Sequence, residues 1–200
     1  MPGSFHRPIA ALLCSVLACG MGLAAPAHAS SPLTAQLATQ RAATLDRLFS
    51  DLRAARDQTE ADAVTTRIWH AWAQSGRDDV DVLLSKATAS IAGRHFGLAR
   101  LLLDEIVDLA PDFAEGWNKR AALLYHMGLH TDALSDLDTA LRLEPRHFGA
   151  LAARAAIHAD TGRWKEALEA YRAALAINPF LASRHTVLPE LERRSAQQVQ

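Results

Sequence analysis

The sequence has little cysteine, few aromatic residues and few residues of strong β-propensity. Its two cysteines, Cys14 and Cys19, both lie close to the N-terminus, so the rest of the chain can form no disulfide and no cysteine metal site. Aromatic residues make up 6% of the chain, and no run of residues is typical of a β-strand. Alanine and leucine dominate, and prolines and glycines are spaced rather than clustered. This composition predicts an all-α protein of short, packed helices.

An excess of one charge is also absent, since 21 basic and 22 acidic residues give a formal net charge of −1. No basic stripe follows any predicted helix, so there is no electrostatic basis for binding nucleic acid, and we expect no such partner. The chain has 200 residues, 50% of them hydrophobic, which is enough to bury the core of one domain.

Motifs that carry catalysis or hold cofactors are missing. The sequence has no HExxH, GxxxxGK, GxSxG or CxxC. His126 and His130 would share one face of a continuous helix, but Gly128 between them predicts a helix end, so we interpret them as a surface and a turn histidine. We therefore expect no enzymatic activity, no catalytic residue, no cofactor and no metal site.

The N-terminal segment, up to Ala29, differs from the rest of the chain. Arg7 precedes an apolar stretch at residues 9–25, and residues 27–29 form a small-x-small cleavage site. We predict a signal peptide at residues 1–29 that is cleaved after Ala29, which leaves a periplasmic or secreted chain without a membrane span. The alternative is a lipoprotein, because residues 16–19 loosely resemble a lipoprotein box in which Cys19 would carry the lipid.

An internal repeat organises the second half of the chain. Pro111, Pro145 and Pro179 are equally spaced, and Gly128 and Gly162 show the same interval where a left-handed residue would end a helix. Alignment on the prolines brings small and apolar residues into register with the i, i+4, i+7 spacing of a buried helix face. These residues are Ala99, Ala133 and Ala167; Leu103, Leu137 and Tyr171; and Ile106, Ala140 and Ala174. The period predicts repeated pairs of antiparallel helices.

The aligned residues resemble the tetratricopeptide repeat family. The resemblance is carried by Trp117, Ala121, Gly128, Ala133, Leu137, Ala140 and Pro145, and again by Ala155, Gly162, Trp164, Ala167, Tyr171, Ala174 and Pro179. It implies an all-α solenoid of antiparallel helix pairs with three units, at residues 80–113, 114–147 and 148–181. Gly93 departs from the pattern because it stands one position too early relative to Gly128, and we expect an extra residue in the turn of the first unit.

Both ends of the repeat region predict further helices. Residues 30–79 are typical of a degenerate helical pair, in which Asp57 and Glu60 form a capping box and Trp69 and Trp72 fall on key positions of the repeat frame. We interpret this pair as an atypical unit that caps the stack. Residues 182–200 predict a short C-terminal capping helix and a tail.

The resemblance also implies a groove lined by the first helix of each unit. In the repeat frame Glu115, Asn118 and Tyr125 point inward from the second unit, and Ala152 and Ala156 point inward from the third. A row of small residues leaves room for a helix or peptide of a partner, and burial beneath the chain's own terminal helices is an equally physical explanation.

Arg120 and Arg154 share one repeat position with Lys86. In the groove they would clamp carboxylates of a partner, and we include the two arginines among the candidate partner-binding residues. The alternative, which we favour, is that each pairs inside its own repeat with an acid of the second helix, such as Asp104, Asp136 or Glu169.

We therefore expect a non-catalytic scaffold that binds a protein or peptide partner in the bacterial envelope. The alternative is an accessory or assembly subunit of an envelope biogenesis complex, for the cell wall or for cytochrome maturation. A hydrolytic enzyme that uses Asp78, Asp79 and Asp81 is a third interpretation, although successive acids are typical of the first turn of a helix. The oligomeric state stays open.

Overall fold

The computed structural model describes residues 32–198, and the predicted signal peptide and both cysteines lie outside this range. The described part consists of nine α-helices and contains no strand, as the composition predicts. None of these helices has the length and apolar character needed to cross a membrane. The helices are α1 (Pro32–Ala54), α2 (Gln58–Trp72), α3 (Asp78–Ala92), α4 (Phe96–Leu109), α5 (Ala114–His126), α6 (His130–Leu143), α7 (Phe148–Asp160), α8 (Trp164–Ile177) and α9 (Arg184–Gln197).

Three helix pairs, α3–α4, α5–α6 and α7–α8, stack in chain order as a solenoid. The second helix of one pair packs on the first helix of the next, α4 on α5 and α6 on α7. Each residue of the aligned small and apolar stripe is at most 2% exposed, so the repeat pattern correctly identified the core of the pairs. Alanine at several of these positions lets neighbouring helices approach closely.

The turns within the units show where the glycine pattern holds and where it fails. Gly128 and Gly162 have φ angles of +76° and +73°, the left-handed conformation that the sequence predicted for them. In the first unit α3 ends at Ala92 and α4 begins at Phe96, the same spacing as in the next unit, so the expectation of an extra residue is wrong. Arg94 takes the left-handed conformation there, with a φ of +60°.

The N-terminal pair α1–α2 forms a hairpin, and α2 starts where the sequence predicted, because the Asp57 side chain accepts a hydrogen bond from the Glu60 amide at 2.9 Å. The helical pair is thus confirmed, but its placement differs from that of a stacked unit. It does not lie along α3 as α4 lies along α5. Its buried side chains share a core with Phe148 and Leu151 of α7, so the hairpin folds back against the third unit.

The last helix, α9, packs on α8 at the other end of the stack. Leu191 is buried against Tyr171, and the Arg194 guanidinium lies 5.1 Å from the centre of the Trp164 ring. The outer side of α9 carries charged residues such as Glu190 and Arg193, which pair with each other. A polar outer face is what the end of a solenoid requires.

Candidate functional site

In the repeat frame the first helices of the three pairs, α3, α5 and α7, form the inner surface of the solenoid, and α5 and α7 are in direct contact. The repeat frame directs Glu115 and Asn118 of α5 onto this surface, but both are buried, with exposed fractions of 2% and 8%. The cover is the α1–α2 hairpin, which packs on the first turn of α7 and contacts the loops between units. Its Arg41 guanidinium lies 5.6 Å from the centre of the Phe113 ring, at the start of α5. One end of the inner surface is therefore closed by the chain itself.

A buried polar cluster lies beneath the hairpin, and we call Glu115, Asn118, Lys119 and His147 the Glu115 cluster. Asn118 Nδ2 donates to Glu115 Oε2 at 2.9 Å, and Lys119 Nζ lies 3.3 Å from Glu115 Oε1. His147 Nδ1 accepts from the Ala150 amide at 3.1 Å, so its Nε2 is the donor to Glu115 Oε2 at 2.9 Å. Both oxygens of the Glu115 carboxylate thus have partners.

The Glu115 cluster determines the charge state of the carboxyl group. Burial by itself would raise the pKa of Glu115. The hydrogen bond from His147, the positive charge of Lys119 and the hydrogen bond from Asn118 outweigh burial, and the pKa of Glu115 lies below its usual value. The carboxylate therefore stays ionised under the hairpin, held by His147, Asn118 and Lys119.

Two tryptophans of α2 form the contact between the hairpin and α7. The Trp72 ring stacks on His147 with centroids 4.0 Å apart and planes 9° apart. The Trp69 ring meets His147 and Phe148 edge-on, at 5.5 Å in both cases. A Cβ atom on Gly149 would lie 2.3 Å from Cη2 of Trp69, so only glycine admits the indole at this point of the inner surface.

Polar contacts anchor the hairpin around this aromatic contact. They tie both helices of the hairpin to the loops that follow α6 and α8 and to the start of α9. The contacts are Arg146 Nη1 to Asp46 Oδ1 at 2.6 Å, Gln58 Nε2 to the Phe180 carbonyl at 2.8 Å, Arg184 Nη1 to Gln58 Oε1 at 2.7 Å, and Asn178 Nδ2 to Thr65 Oγ1 at 3.3 Å.

Beyond the hairpin the inner surface is open. Ala122 is exposed on α5, and the half-buried Tyr125 donates its hydroxyl hydrogen to Asp160 of α7 at 2.5 Å. This hydrogen bond, with burial and the negative charge of Asp160, raises the pKa of Tyr125 to about 12. Ala152 and Ala156 of α7 line a cleft of about 220 Å³. The other lining residues of the cleft are Ala155, Ala159, Tyr171, Ser183, Val187 and Leu191.

The two candidate arginines point away from the inner surface, toward the layer of second helices. Arg120 Nε and Nη2 contact the two carboxylate oxygens of Asp136 at 2.7 and 2.8 Å, and its Nη1 contacts Asp104 at 3.0 Å. Arg154 pairs with Asp138 of α6. Carboxylates of the chain's own second helices hold both guanidinium groups, so the structure does not place these arginines in the groove. Arg120 pairs with Asp136 of its own unit, as we favoured, whereas Arg154 pairs with an acid of the preceding unit rather than of its own.

Two of the acids of the hydrolase interpretation pair with groups of the chain itself. Asp79 pairs with Arg77 at 2.7 Å, and Asp81 accepts from the amide and hydroxyl of Ser75 at 2.7 and 2.6 Å. Together with Asp78 they form the first turn of α3. Within residues 32–198 no group of three or more His, Cys, Asp or Glu side chains is arranged to hold a metal ion.

The sequence did not identify His147, or the role of Trp69 and Trp72 at this site. One signal was present, because Gly149 occupies the repeat position held by Glu115 in the unit before it. A glycine in the first turn of a helix lowers helix propensity and so indicates a close approach by another group. Which group approaches depends on tertiary packing, and a periodic alignment does not report that.

Residues 127–182 match the family model described as tetratricopeptide repeat. The chain is also similar to a TPR repeat-containing protein of Rhizobium etli, with 38% identity over 135 residues. That alignment covers 68% of this chain and 66% of the relative, so the chain spans just under two thirds of the relative's length.

Among solved structures, the chain is similar to the TPR domain of Sgt2 from Aspergillus fumigatus, with a TM-score of 0.57, 22% identity and coverage of 61% of this chain and 82% of that chain. It is also similar to the TPR2B domain of yeast Sti1 in its complex with pHsp70, with a TM-score of 0.53, 21% identity and coverage of 60% and 97%. At these identities the similarity shows a shared fold.

Proposed function

We propose that this chain, which carries tetratricopeptide repeats and folds as a solenoid of helix pairs, is a non-catalytic scaffold that binds a protein partner in the bacterial envelope. Repeats of this kind mediate protein–protein contacts, and the similar TPR2B domain of yeast Sti1 forms a complex with pHsp70. Function on such a fold depends on the surface it presents rather than on the fold alone.

The open part of the inner surface is the observation that carries this proposal. Beyond the hairpin it presents small side chains, Ala122 of α5 and Ala156 of α7, beside the phenol of Tyr125. Small residues allow a helix or extended peptide to approach the backbone closely, and the curved face of a solenoid offers a long contact area. Arg120 and Arg154 contribute to the fold of the units rather than to this contact.

The proposed location rests on the segment 1–29, in which an apolar stretch precedes a small-x-small site. A mature chain that begins at Ser30, measured by intact mass and N-terminal sequencing of protein purified from the cells that make it, would support export by a cleaved signal peptide. A lipid-modified chain that begins at Cys19 would overturn cleavage after Ala29, and an uncleaved Met1 would argue against export.

Site-specific photo-cross-linking tests the scaffold function. A benzophenone amino acid replaces Ala122 on the inner surface, and in a matched variant it replaces Ser135, an exposed residue on the second helix of the same unit. We expect a discrete adduct with a protein partner from position 122 and none from position 135. An adduct from position 135 alone would move the interface to the outer layer, and no adduct from either position would contradict the scaffold function.

A further inference from the structure

We infer that the α1–α2 hairpin is a tethered occupant of the inner surface, and that the partner which displaces it is an amphipathic helix with two aromatic side chains one turn apart. This inference rests on the proposed function and specifies the chemistry of its partner. The hairpin, in its docked position, would then keep the chain from binding helices that lack such a pair of aromatic side chains.

The fit of the aromatic rings is the first support. Trp69 and Trp72 are spaced i, i+3 on α2, and both rings lie on the first turn of α7 and on the residue before it. Gly149 leaves the space that the Trp69 ring fills, and His147 provides a flat face for Trp72. Rings one turn apart on an amphipathic helix are the kind of anchor by which helices bind grooves.

The position of the hairpin is the second support. It covers Glu115 and Asn118, which the repeat frame directs onto the inner surface, while the next inward residue along α5, Ala122, stays exposed. The covered and open parts thus belong to one continuous surface. A partner helix that follows this surface from Ala122 toward the first turn of α5 meets the hairpin.

The attachment of the hairpin is the third support. Residues 73–77 join it to α3, and Gly76 in this linker has a φ of +84°. The hairpin therefore stays covalently tethered beside the surface that it covers.

The indole of Trp72 gives a competing helix an advantage. Within the described chain, Trp72 Nε1 is buried without a hydrogen-bond partner, so docking of the hairpin leaves one donor unsatisfied. A competing helix with phenylalanine in place of Trp72 would keep the stacking on His147 without burying an unpaired N–H group.

A tethered occupant lowers the apparent affinity of any competing helix. The linker holds the hairpin at an effective concentration of roughly millimolar order. A partner therefore binds only the fraction of molecules in which the hairpin is released, and its apparent dissociation constant rises in inverse proportion to that fraction. Fixing the hairpin should weaken binding of such a partner, and loosening the hairpin should strengthen it.

Two variants of the chain from residue 30 onward, which contains every described helix, test this inference. In the first, cysteines replace Thr65 and Asn178, whose side chains are in contact, and a disulfide formed between them on oxidation would lock the hairpin until it is reduced. This part of the chain has no other cysteine. In the second, Asp46→Ala and Gln58→Ala remove two anchors without changing α7.

The probe is a fluorescein-labelled synthetic peptide of residues 32–72, and its affinity is measured by fluorescence anisotropy. We expect the oxidised cysteine variant to bind about tenfold or more weakly than the same protein reduced, and the anchor variant to bind about tenfold more tightly than the unchanged chain. A Trp72→Phe peptide should bind more tightly than the native peptide, and a peptide with Trp69→Ala and Trp72→Ala should not bind.

Equal affinities for the oxidised and reduced forms, or no gain in the anchor variant, would overturn the inference. If the disulfide does not form, the affinity of the anchor variant relative to the unchanged chain tests the inference alone: tighter binding supports it and equal binding overturns it. The photo-cross-link at position 122 separates this inference from the scaffold function. An adduct formed equally by the locked and the reduced chain would support the scaffold function and contradict the inference that the hairpin competes with the partner. No adduct with either form would contradict both the scaffold function and this inference.

Discussion

Gly149 shows at the scale of one residue how the hairpin and the solenoid fit together. Because a Cβ atom there would lie 2.3 Å from the Trp69 ring, we expect Gly149→Ala to destabilise the protein by about 1–3 kcal/mol, although alanine is the better helix former. Gly97 in α4 is the control, since a Cβ there meets no atom within 4 Å and Gly97→Ala should stabilise by about 0.5–1 kcal/mol. Urea unfolding measures the stability of both variants, and equal shifts of their two midpoints would contradict the close contact between Gly149 and the Trp69 ring.

Arg94 takes the left-handed conformation that glycine takes in the equivalent turns of the other two units. A side chain costs about 1–2 kcal/mol in this conformation, so Arg94→Gly should raise the free energy of unfolding by about 1 kcal/mol. The reciprocal change, Gly128→Arg, should lower it by a similar amount. Thermal unfolding of both variants tests the pair, and a loss of stability in Arg94→Gly would show that the arginine side chain stabilises the turn.

The lowered pKa of Glu115 predicts how the free energy of unfolding depends on pH. Its pKa in the folded chain lies below the usual value, so the stabilisation is fully present above the unfolded pKa, about 4.3, and is lost as pH falls through the folded pKa. Because a glutamine does not titrate, Glu115→Gln should flatten the dependence of the unfolding free energy on pH below about 4.5, as measured by urea unfolding at a series of pH values. An unchanged slope would contradict the ionised carboxylate.

At the scale of the helices, the hairpin is held to the third unit by side chains of both α1 and α2, among which Trp72 contacts His147 and Phe148. Trp72 is 1% exposed, and Trp72→Ala should cost about 3–5 kcal/mol because it leaves a cavity beside His147 and Phe148. Trp164→Ala is the matched control, because that ring is half-buried at the other end of the solenoid and should cost less. Calorimetric unfolding would show the difference, and equal losses would mean that the hairpin contributes little to the core.

The sequence predicted most of the helices because their ends depend on local chemistry. Asp57 caps α2 through a side chain three residues from its target amide, and Gly128 and Gly162 end helices by their own backbone conformation. The turn at Arg94 was predicted wrongly because the glycine stands one residue too early there, and the backbone follows the repeat rather than the glycine. Local signals of this kind can be read without knowledge of the tertiary fold.

At the scale of the whole molecule, the constant interval between repeats predicted the stacking of three units but not the placement of the hairpin. Periodicity reports which residues are equivalent, and so it reports contacts between successive units. The contacts of Asp46 with Arg146 and of Thr65 with Asn178 join segments about 100 residues apart and follow no period. For the same reason the repeat frame predicted which residues point inward, whereas an open groove and a groove covered by the chain's own terminal helices were left as two alternatives.

A distance across the molecule tests most directly the claim that the chain's own hairpin closes one end of the inner surface. Spin labels on cysteines at Thr59 of α2 and His185 of α9, both exposed, give that distance by pulsed electron paramagnetic resonance. We predict a separation under about 20 Å, since the neighbouring Gln58 and Arg184 are in contact and adjacent helices lie about 10 Å apart. A separation of roughly 30 Å or more, as in a hairpin stacked on α3 three units away, would contradict the account.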